Sequence, residues 1–159
     1  MSALPATVAR ASVEAELDAA RVWAARHEWT LNWDAEEMLL RVATYHRPVS
    51  RLVELTAETD GYRALPPAWT FVRPGTNETS AEIFPAGGNL PGIGSIFHGN
   101  LVICAPWNRL AYSEHGGPHD NWSGPAAWLQ VQEGTIAHSI ADMLAIVDVH
   151  LRASPGFMA

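Results

Sequence analysis

One cysteine and several histidines are the residues of this chain best suited to chemistry. Cys104 is the only cysteine, and His98 and His119 lie near it in the sequence. A single cysteine cannot form an internal disulfide, so it is either a buried structural thiol or a reactive one. An imidazole beside the thiol could act as a general base or a hydrogen-bonding partner, because histidine exchanges protons near neutral pH.

The same stretch offers a metal site as an alternative. Thiolate, imidazole and carboxylate groups are the ligands that zinc prefers. The candidate ligands are Cys104, His98, His115, His119 and Asp120. His115 and His119 are separated by Gly-Gly-Pro, which is not the spacing of a known zinc knuckle. The expectation is therefore a site without a cofactor, with zinc as the alternative.

Composition argues against two classes of partner. The ten basic residues are all arginine, and seventeen acidic residues bring the formal net charge to −7. Binding to a phosphate backbone needs clustered cations, so nucleic acid is not expected as a partner. No stretch approaches the roughly 20 apolar residues of a membrane span, and the first residues do not resemble a signal peptide. We therefore expect a cytoplasmic protein without a membrane partner.

Length and hydrophobicity predict one folded domain. The 159 residues are enough for a single domain, and 48% hydrophobic with 17% charged residues supports a packed core. The expected boundaries are a flexible N-terminus over residues 1–11, a domain over 12–153 and a tail over 154–159.

Hydrophobic periodicity predicts the elements that must position the site. Ser12 is predicted to cap a one-faced helix that ends near Arg26. Alternating apolar residues then predict four strands, at residues 29–33, 38–45, 52–57 and 69–72. A long irregular segment carries Cys104 at the end of a short apolar stretch, and a last helix follows a capping signal at Ser139. This order predicts an α+β fold with helices on an antiparallel sheet.

The order of these segments resembles that of the ubiquitin-conjugating enzymes. In that family a tyrosine and paired prolines precede the fourth strand, an Ile-Cys step carries the reactive cysteine, and a Trp-Ser-Pro step precedes the next helix. The corresponding residues here are Tyr62, Pro66-Pro67, Ile103-Cys104 and Trp122-Ser-Gly-Pro125. The resemblance covers roughly residues 12–151 and implies a UBC-like fold with an N-terminal helix, a four-stranded meander, an active-site loop and a C-terminal helix.

The chain departs from the family pattern around the cysteine. The His-Pro-Asn signature has no literal counterpart, and the nearest residues, Phe97-His98-Gly99-Asn100, lie closer to the cysteine than the signature does. The segment between Cys104 and Trp122 is longer than is usual, and two further helices of the family have no counterpart. The sequence therefore resembles a divergent prokaryotic member, of the kind found beside ubiquitin-like proteins and adenylating enzymes.

The resemblance implies a transferase that acts by transthiolation. Cys104 would accept the C-terminal acyl group of a ubiquitin-like protein from an adenylating enzyme and pass it to an amine of a protein substrate. An amide side chain would stabilise the negative charge on the carbonyl oxygen, and Asn100 and Asn108 are the candidates by proximity. His98 and His119 complete the set of candidate catalytic residues.

Two other functions fit the same residues. A noncatalytic UBC-like module would bind a ubiquitin-like protein or a peptide, with Cys104 buried as free cysteines often are. A metal-stabilised domain would use the cysteine and histidines as ligands. The absence of lysine fits a carrier of activated acyl groups, because guanidinium is a poor nucleophile, although codon bias in a GC-rich genome is the simpler explanation.

Overall fold

The computed structural model describes residues 4–159, in which two helices flank an antiparallel sheet and a long irregular segment. The helices are α1 (Ala6–Arg26) and α2 (Ile140–Ala153), and the strands are β1 (Thr30–Asp34), β2 (Leu39–His46), β3 (Arg51–Glu58), β4 (Ala68–Val72), β5 (Phe97–His98) and β6 (Val102–Ile103). The predicted α+β class is confirmed. Within the described residues, neither helix has the length and apolar character needed to cross a membrane.

The main sheet is a meander in which each strand pairs with the next. Its order is β1-β2-β3-β4, and every pair is antiparallel. The register places Leu40, Ala57 and Trp69 side by side on one face, which packs into the core. Strands β5 and β6 form a separate two-stranded ribbon. The predicted four-stranded meander is therefore confirmed. Burial alternates strictly along β1 and only in part along β2 and β3, and β4 is buried on both faces.

The start of α1 differs from the prediction. The helix begins at Ala6 after Pro5, inside the stretch expected to be flexible, and Ser12 lies within it. The Ser12 hydroxyl donates to the Val8 carbonyl at 3.0 Å, as serines inside helices often do. Pro5 occupies the N-cap position and provides no side-chain cap, and its carbonyl accepts from the Val8 and Ala9 amides. The cap predicted at Ser12 is wrong, and residues 1–3 of the N-terminal stretch lie outside the described residues.

A partly buried carboxylate joins α1 to α2. Glu16 accepts a hydrogen bond from the Tyr62 hydroxyl at 2.7 Å and another from the Ile140 amide, also at 2.7 Å. Burial, together with the neighbouring Glu16 charge, raises the pKa of Tyr62 far above its usual range, so the phenol remains a donor. A negative charge beside the first turn of α2 is favourable. The predicted cap of that helix is confirmed, since the Ser139 hydroxyl accepts from the Asp142 amide.

Residues 154–159 lie against the irregular segment that follows β4. The Met158 amide donates to the Phe84 carbonyl at 3.0 Å, and the Ala159 amide donates to the Ala81 carbonyl at the same distance. The Arg51 guanidinium lies over the Phe157 ring at 4.4 Å. These contacts hold the segment predicted as a tail against the rest of the fold.

His150 couples α2 to the segment that precedes Cys104. Its Nδ1 accepts a hydrogen bond from the Ile96 amide at 3.4 Å, and the Ile96 carbonyl accepts from the Cys104 amide at 2.7 Å. An accepting Nδ1 requires a ring without a proton on that atom. Burial lowers the pKa of His150, because a low-dielectric interior disfavours the charged imidazolium.

We expect the free energy of unfolding to fall as the pH drops below 6.5, the ordinary pKa of histidine. The folded-state pKa of His150 is lowered, so the unfolded chain binds the proton first, and stability that is present above pH 6.5 is lost on acidification. Urea unfolding from about pH 7 to 5 measures the slope. His150→Gln keeps a neutral acceptor and should flatten it. Buried His46 contributes the same sign and remains in this variant.

The exposed His138 supplies the control, since His138→Gln removes a histidine that folding does not bury. That variant should keep the wild-type slope. An equal slope in His150→Gln and wild type would contradict the assignment.

Candidate functional site

Cys104 follows β6 directly and is half-buried. Ile103 and Ala105 on either side of it are fully buried, so Cys104 is the partly exposed position of an otherwise buried stretch. The Cys104 amide donates to the Ile96 carbonyl, which fixes the backbone of the residue itself. The thiol therefore lies at the boundary between the core and the surface.

His119 is the candidate residue that the structure brings to Cys104. Its Nε2 contacts the Cys104 sulfur. The imidazole stacks on the indole of Trp122, with ring centroids 3.8 Å apart and planes only 3° from parallel. One pair of the predicted site residues, a thiol and an imidazole, is therefore in direct contact.

Backbone pairing within the segment after Cys104 holds His119 in place. The His119 amide donates to the Ala111 carbonyl at 3.1 Å, and its carbonyl accepts from the Ser113 amide at 3.0 Å. At Gly117 a side chain would collide with the backbone of Ala111, so this return of the chain requires glycine. This backbone pairing brings the imidazole of His119 to Cys104, although the two residues are far apart in the sequence.

Burial and the imidazole act on the thiol in opposite directions. Burial raises the pKa of Cys104 to about 11, because the thiolate loses hydration. At neutral pH the group is then a thiol that can donate to Nε2 of His119. Transfer of that proton creates a thiolate beside an imidazolium, and the new opposite charge stabilises the nucleophile. The pair can therefore rest uncharged and ionise when it reacts.

Asn108 is fully buried, and both ends of its amide are engaged. Its oxygen accepts from the Trp69 amide at 2.8 Å and from the Leu110 amide at 3.3 Å, and its nitrogen donates to the Ile103 carbonyl at 2.8 Å. These bonds tie β4 to β6 and to the turn after Cys104. Asn108 therefore supports the site as a buried structural residue.

The other candidates lie apart from the thiol–imidazole pair. Asn100 is exposed in the turn between β5 and β6, His98 is half-buried on β5, and His115 is exposed. Within residues 4–159, none of these three side chains forms a hydrogen bond with Cys104 or His119. Over the same residues, no three histidine, cysteine or acidic side chains are grouped to hold a metal ion. The zinc alternative stays a prediction, with only two of its ligands in contact.

Two further residues of the site, Trp122 and Arg109, were not among the predicted catalytic or metal-binding residues. The stacking of Trp122 on His119 joins two positions of an irregular segment, where no periodicity predicts a contact. Arg109 is buried and binds the segment before β4, with its Nε donating to the Pro66 carbonyl at 3.0 Å and its Nη1 at 3.1 Å from the Asp60 carboxylate. The paired prolines therefore belong to the backbone segment that Arg109 holds beside the site.

Comparisons of the chain with protein-family models, with curated proteins and with solved structures found no match. A function for this site has to be inferred from its own chemistry.

We expect Asn108→Ala to reduce the free energy of unfolding by at least about 2 kcal/mol, because it leaves buried backbone groups of β4 and β6 without partners. Urea unfolding measures the loss. Asn100→Ala, which removes the same amide from an exposed turn, should stay within about 0.5 kcal/mol of wild type. Equal stability of the two variants would contradict the supporting role of Asn108.

Proposed function

We propose that this chain is a ubiquitin-conjugating-type carrier that holds a ubiquitin-like modifier as a thioester on Cys104 and transfers it to an amine. The observation that carries the proposal is the contact between the only cysteine, half-buried at the end of β6, and the imidazole of His119. The order of helix, four-stranded meander, irregular segment and helix supports it, because the family resemblance implies the same order.

The chemistry consists of two acyl transfers. In the first, the Cys104 S–H bond breaks, its proton moves to Nε2 of His119, and the sulfur attacks the thioester carbonyl of the modifier. The carbon–sulfur bond between the modifier and the activating enzyme breaks, and the departing thiolate of that enzyme takes the proton from His119. In the second, an amine attacks the new thioester, Cys104 leaves as a thiolate, and the proton released by the amine returns it to a thiol.

The two amide candidates have different places in this proposal. Asn100 is exposed in the turn beside the ribbon that leads to Cys104, so it could donate a hydrogen bond to the carbonyl oxygen of a bound acyl group. Asn108 is buried and acts by holding the backbone around Cys104. His98 lies on the same ribbon as Asn100 and is half-buried.

The partners follow from the chemistry. An adenylating enzyme supplies the activated acyl group, a ubiquitin-like protein is the cargo, and a protein amine is the acceptor. The carrier itself needs no cofactor for either transfer, because the activation has already been carried out. A cytoplasmic location belongs to the proposal, since a reducing compartment keeps the single thiol free.

One observation favours a second candidate, a noncatalytic binding module with the same fold. Cys104 is half-buried, and burial raises its pKa to about 11, as expected for a structural thiol. In this case the cysteine contributes to packing, and the chain binds a ubiquitin-like protein without forming a covalent bond.

We expect a reductant-sensitive adduct when the protein is incubated with ATP, a ubiquitin-like protein and the adenylating enzyme that activates it. A peptide thioester ending in Gly-Gly tests the same step without partners, with intact-mass measurement. Cys104→Ala should form no adduct, and Cys104→Ser should form at most an oxyester that resists thiol reductants, because oxygen replaces the sulfur.

Absence of the adduct in wild type, or a reductant-sensitive adduct that survives Cys104→Ser, would contradict the carrier function. Binding of the ubiquitin-like protein that is equal in wild type and Cys104→Ala, without any adduct, would support the binding module instead.

We also expect a lysine introduced beside the site to become self-modified. Asp120→Lys places an amine at an exposed position next to His119. Its modification should be at least about tenfold faster than that of Arg21→Lys on exposed α1, because a nearby intramolecular amine has a high effective concentration. Reductant-resistant product, measured at several protein concentrations, separates transfer within one molecule from transfer between molecules.

A sample that transfers the modifier to free lysine but never modifies Asp120→Lys would contradict this expectation. The absence of lysine from the chain would then reflect codon bias alone.

A further inference from the structure

Trp122 packs between the imidazole of His119 and the ring of Tyr112. The two rings stack at 3.8 Å, and the indole also packs edge-on against Tyr112 at 5.1 Å. Tyr112 is buried, and its hydroxyl donates to the Pro106 carbonyl at 2.7 Å, two residues after Cys104. The indole therefore lies between the imidazole and a residue that is anchored beside the cysteine.

We propose that Trp122 is a positioning residue, which orients His119 toward Cys104 and stabilises the imidazolium that forms when the thiol loses its proton. A parallel stack restricts rotation of the imidazole ring and so keeps Nε2 facing the sulfur. The face of an indole also attracts a cation more strongly than a neutral ring. Both effects favour the ionised pair over the resting pair.

This inference deepens the proposed function and rests on it only for the identity of the acyl group. The step assigned to Trp122 is the transfer of one proton from the Cys104 sulfur to Nε2 of His119. The electron pair left on sulfur is the nucleophile, whatever electrophile is present. The inference can therefore be tested with a small alkylating reagent and no protein partner.

Other titratable groups around the pair do not take part in this transfer. The other titratable and charged side chains of the surrounding segments are His98, Arg109, Glu114, His115 and Asp120. Arg109 pairs with Asp60, and among the described residues none of these five forms a hydrogen bond or ion pair with Cys104 or His119. Tyr112 stays protonated because burial raises its pKa to about 12. The ionisation is therefore governed by the thiol, the imidazole and the indole that contacts it.

The experiment measures alkylation of Cys104 by iodoacetamide from about pH 6 to 11. Each event is unambiguous because the chain has one thiol. Wild type should react at neutral pH, and His119→Gln should react about 100-fold more slowly there, because it lacks the base. Trp122→Leu should lower the neutral rate about tenfold, with Trp122→Phe between it and wild type, because phenylalanine keeps a weaker aromatic face. Near pH 11, the upper end of this range, the rates should converge, since the thiol then ionises unaided.

The chain contains a matched control. Trp23 stacks on His27 at 4.3 Å and 14° on α1, so Trp23→Leu removes a similar pair from a place without a thiol. Its alkylation profile should equal that of wild type. A wild-type profile in Trp122→Leu, or an equal loss at about pH 7 and at the highest pH, would overturn the inference, because packing alone does not change the shape of the profile.

If Trp122→Leu fails to fold by circular dichroism, the same criterion is applied to Trp122→Phe: a selective loss at neutral pH supports the inference, and a wild-type profile overturns it. The profile needs no modifier, so failure of thioester formation with a normal set of profiles would contradict the carrier function alone. Thioester formation with an unchanged Trp122→Leu profile would contradict the role of Trp122 alone.

Discussion

The buried amide of Asn108 is the contact on which the arrangement around Cys104 depends. It joins the Trp69 amide on β4 to the Ile103 carbonyl on β6, and so ties the main sheet to the strand that ends at the cysteine. Strand β6 has two residues and pairs only with the equally short β5, so it has few hydrogen bonds of its own. Because buried backbone groups must be paired, the Asn108 amide fixes the end of β6, and with it the thiol, relative to the main sheet.

Burial and the imidazole of His119 give this thiol two states. Alone, a half-buried sulfur is a poor nucleophile, because the thiolate is costly to form where hydration is incomplete. The contact with Nε2 offers the proton a place to go at the moment of reaction. Since oxidation also proceeds through the thiolate, a resting thiol is protected from it. The proposed carrier function would use both properties.

The sequence predicted the sheet better than the site, for a physical reason. A strand with one buried face leaves an alternating pattern, and the meander was predictable from it. The site is built in irregular chain, where contacts depend on the path of the loop: His98 is closer to Cys104 in sequence, yet His119 makes the contact. The role of Asn108 was equally hidden, because a buried amide and an exposed one look the same in sequence. The start of α1 was misplaced because the helix begins after Pro5, without the side-chain cap on which the prediction relied.

The structure explains why arginine and not lysine stands at some positions, and leaves others without a structural reason. Arg109 uses one guanidinium to bind both the Pro66 carbonyl and the Asp60 carboxylate, a geometry that a single ammonium cannot reproduce. Arg21 and Arg26 are exposed on α1 and make no such contacts among the described residues, so lysine would serve there equally well. The absence of lysine from such exposed positions therefore needs a chemical or a codon-usage explanation. The proposed thioester on Cys104 would supply a chemical reason, because an exposed lysine amine would compete with the intended acceptor.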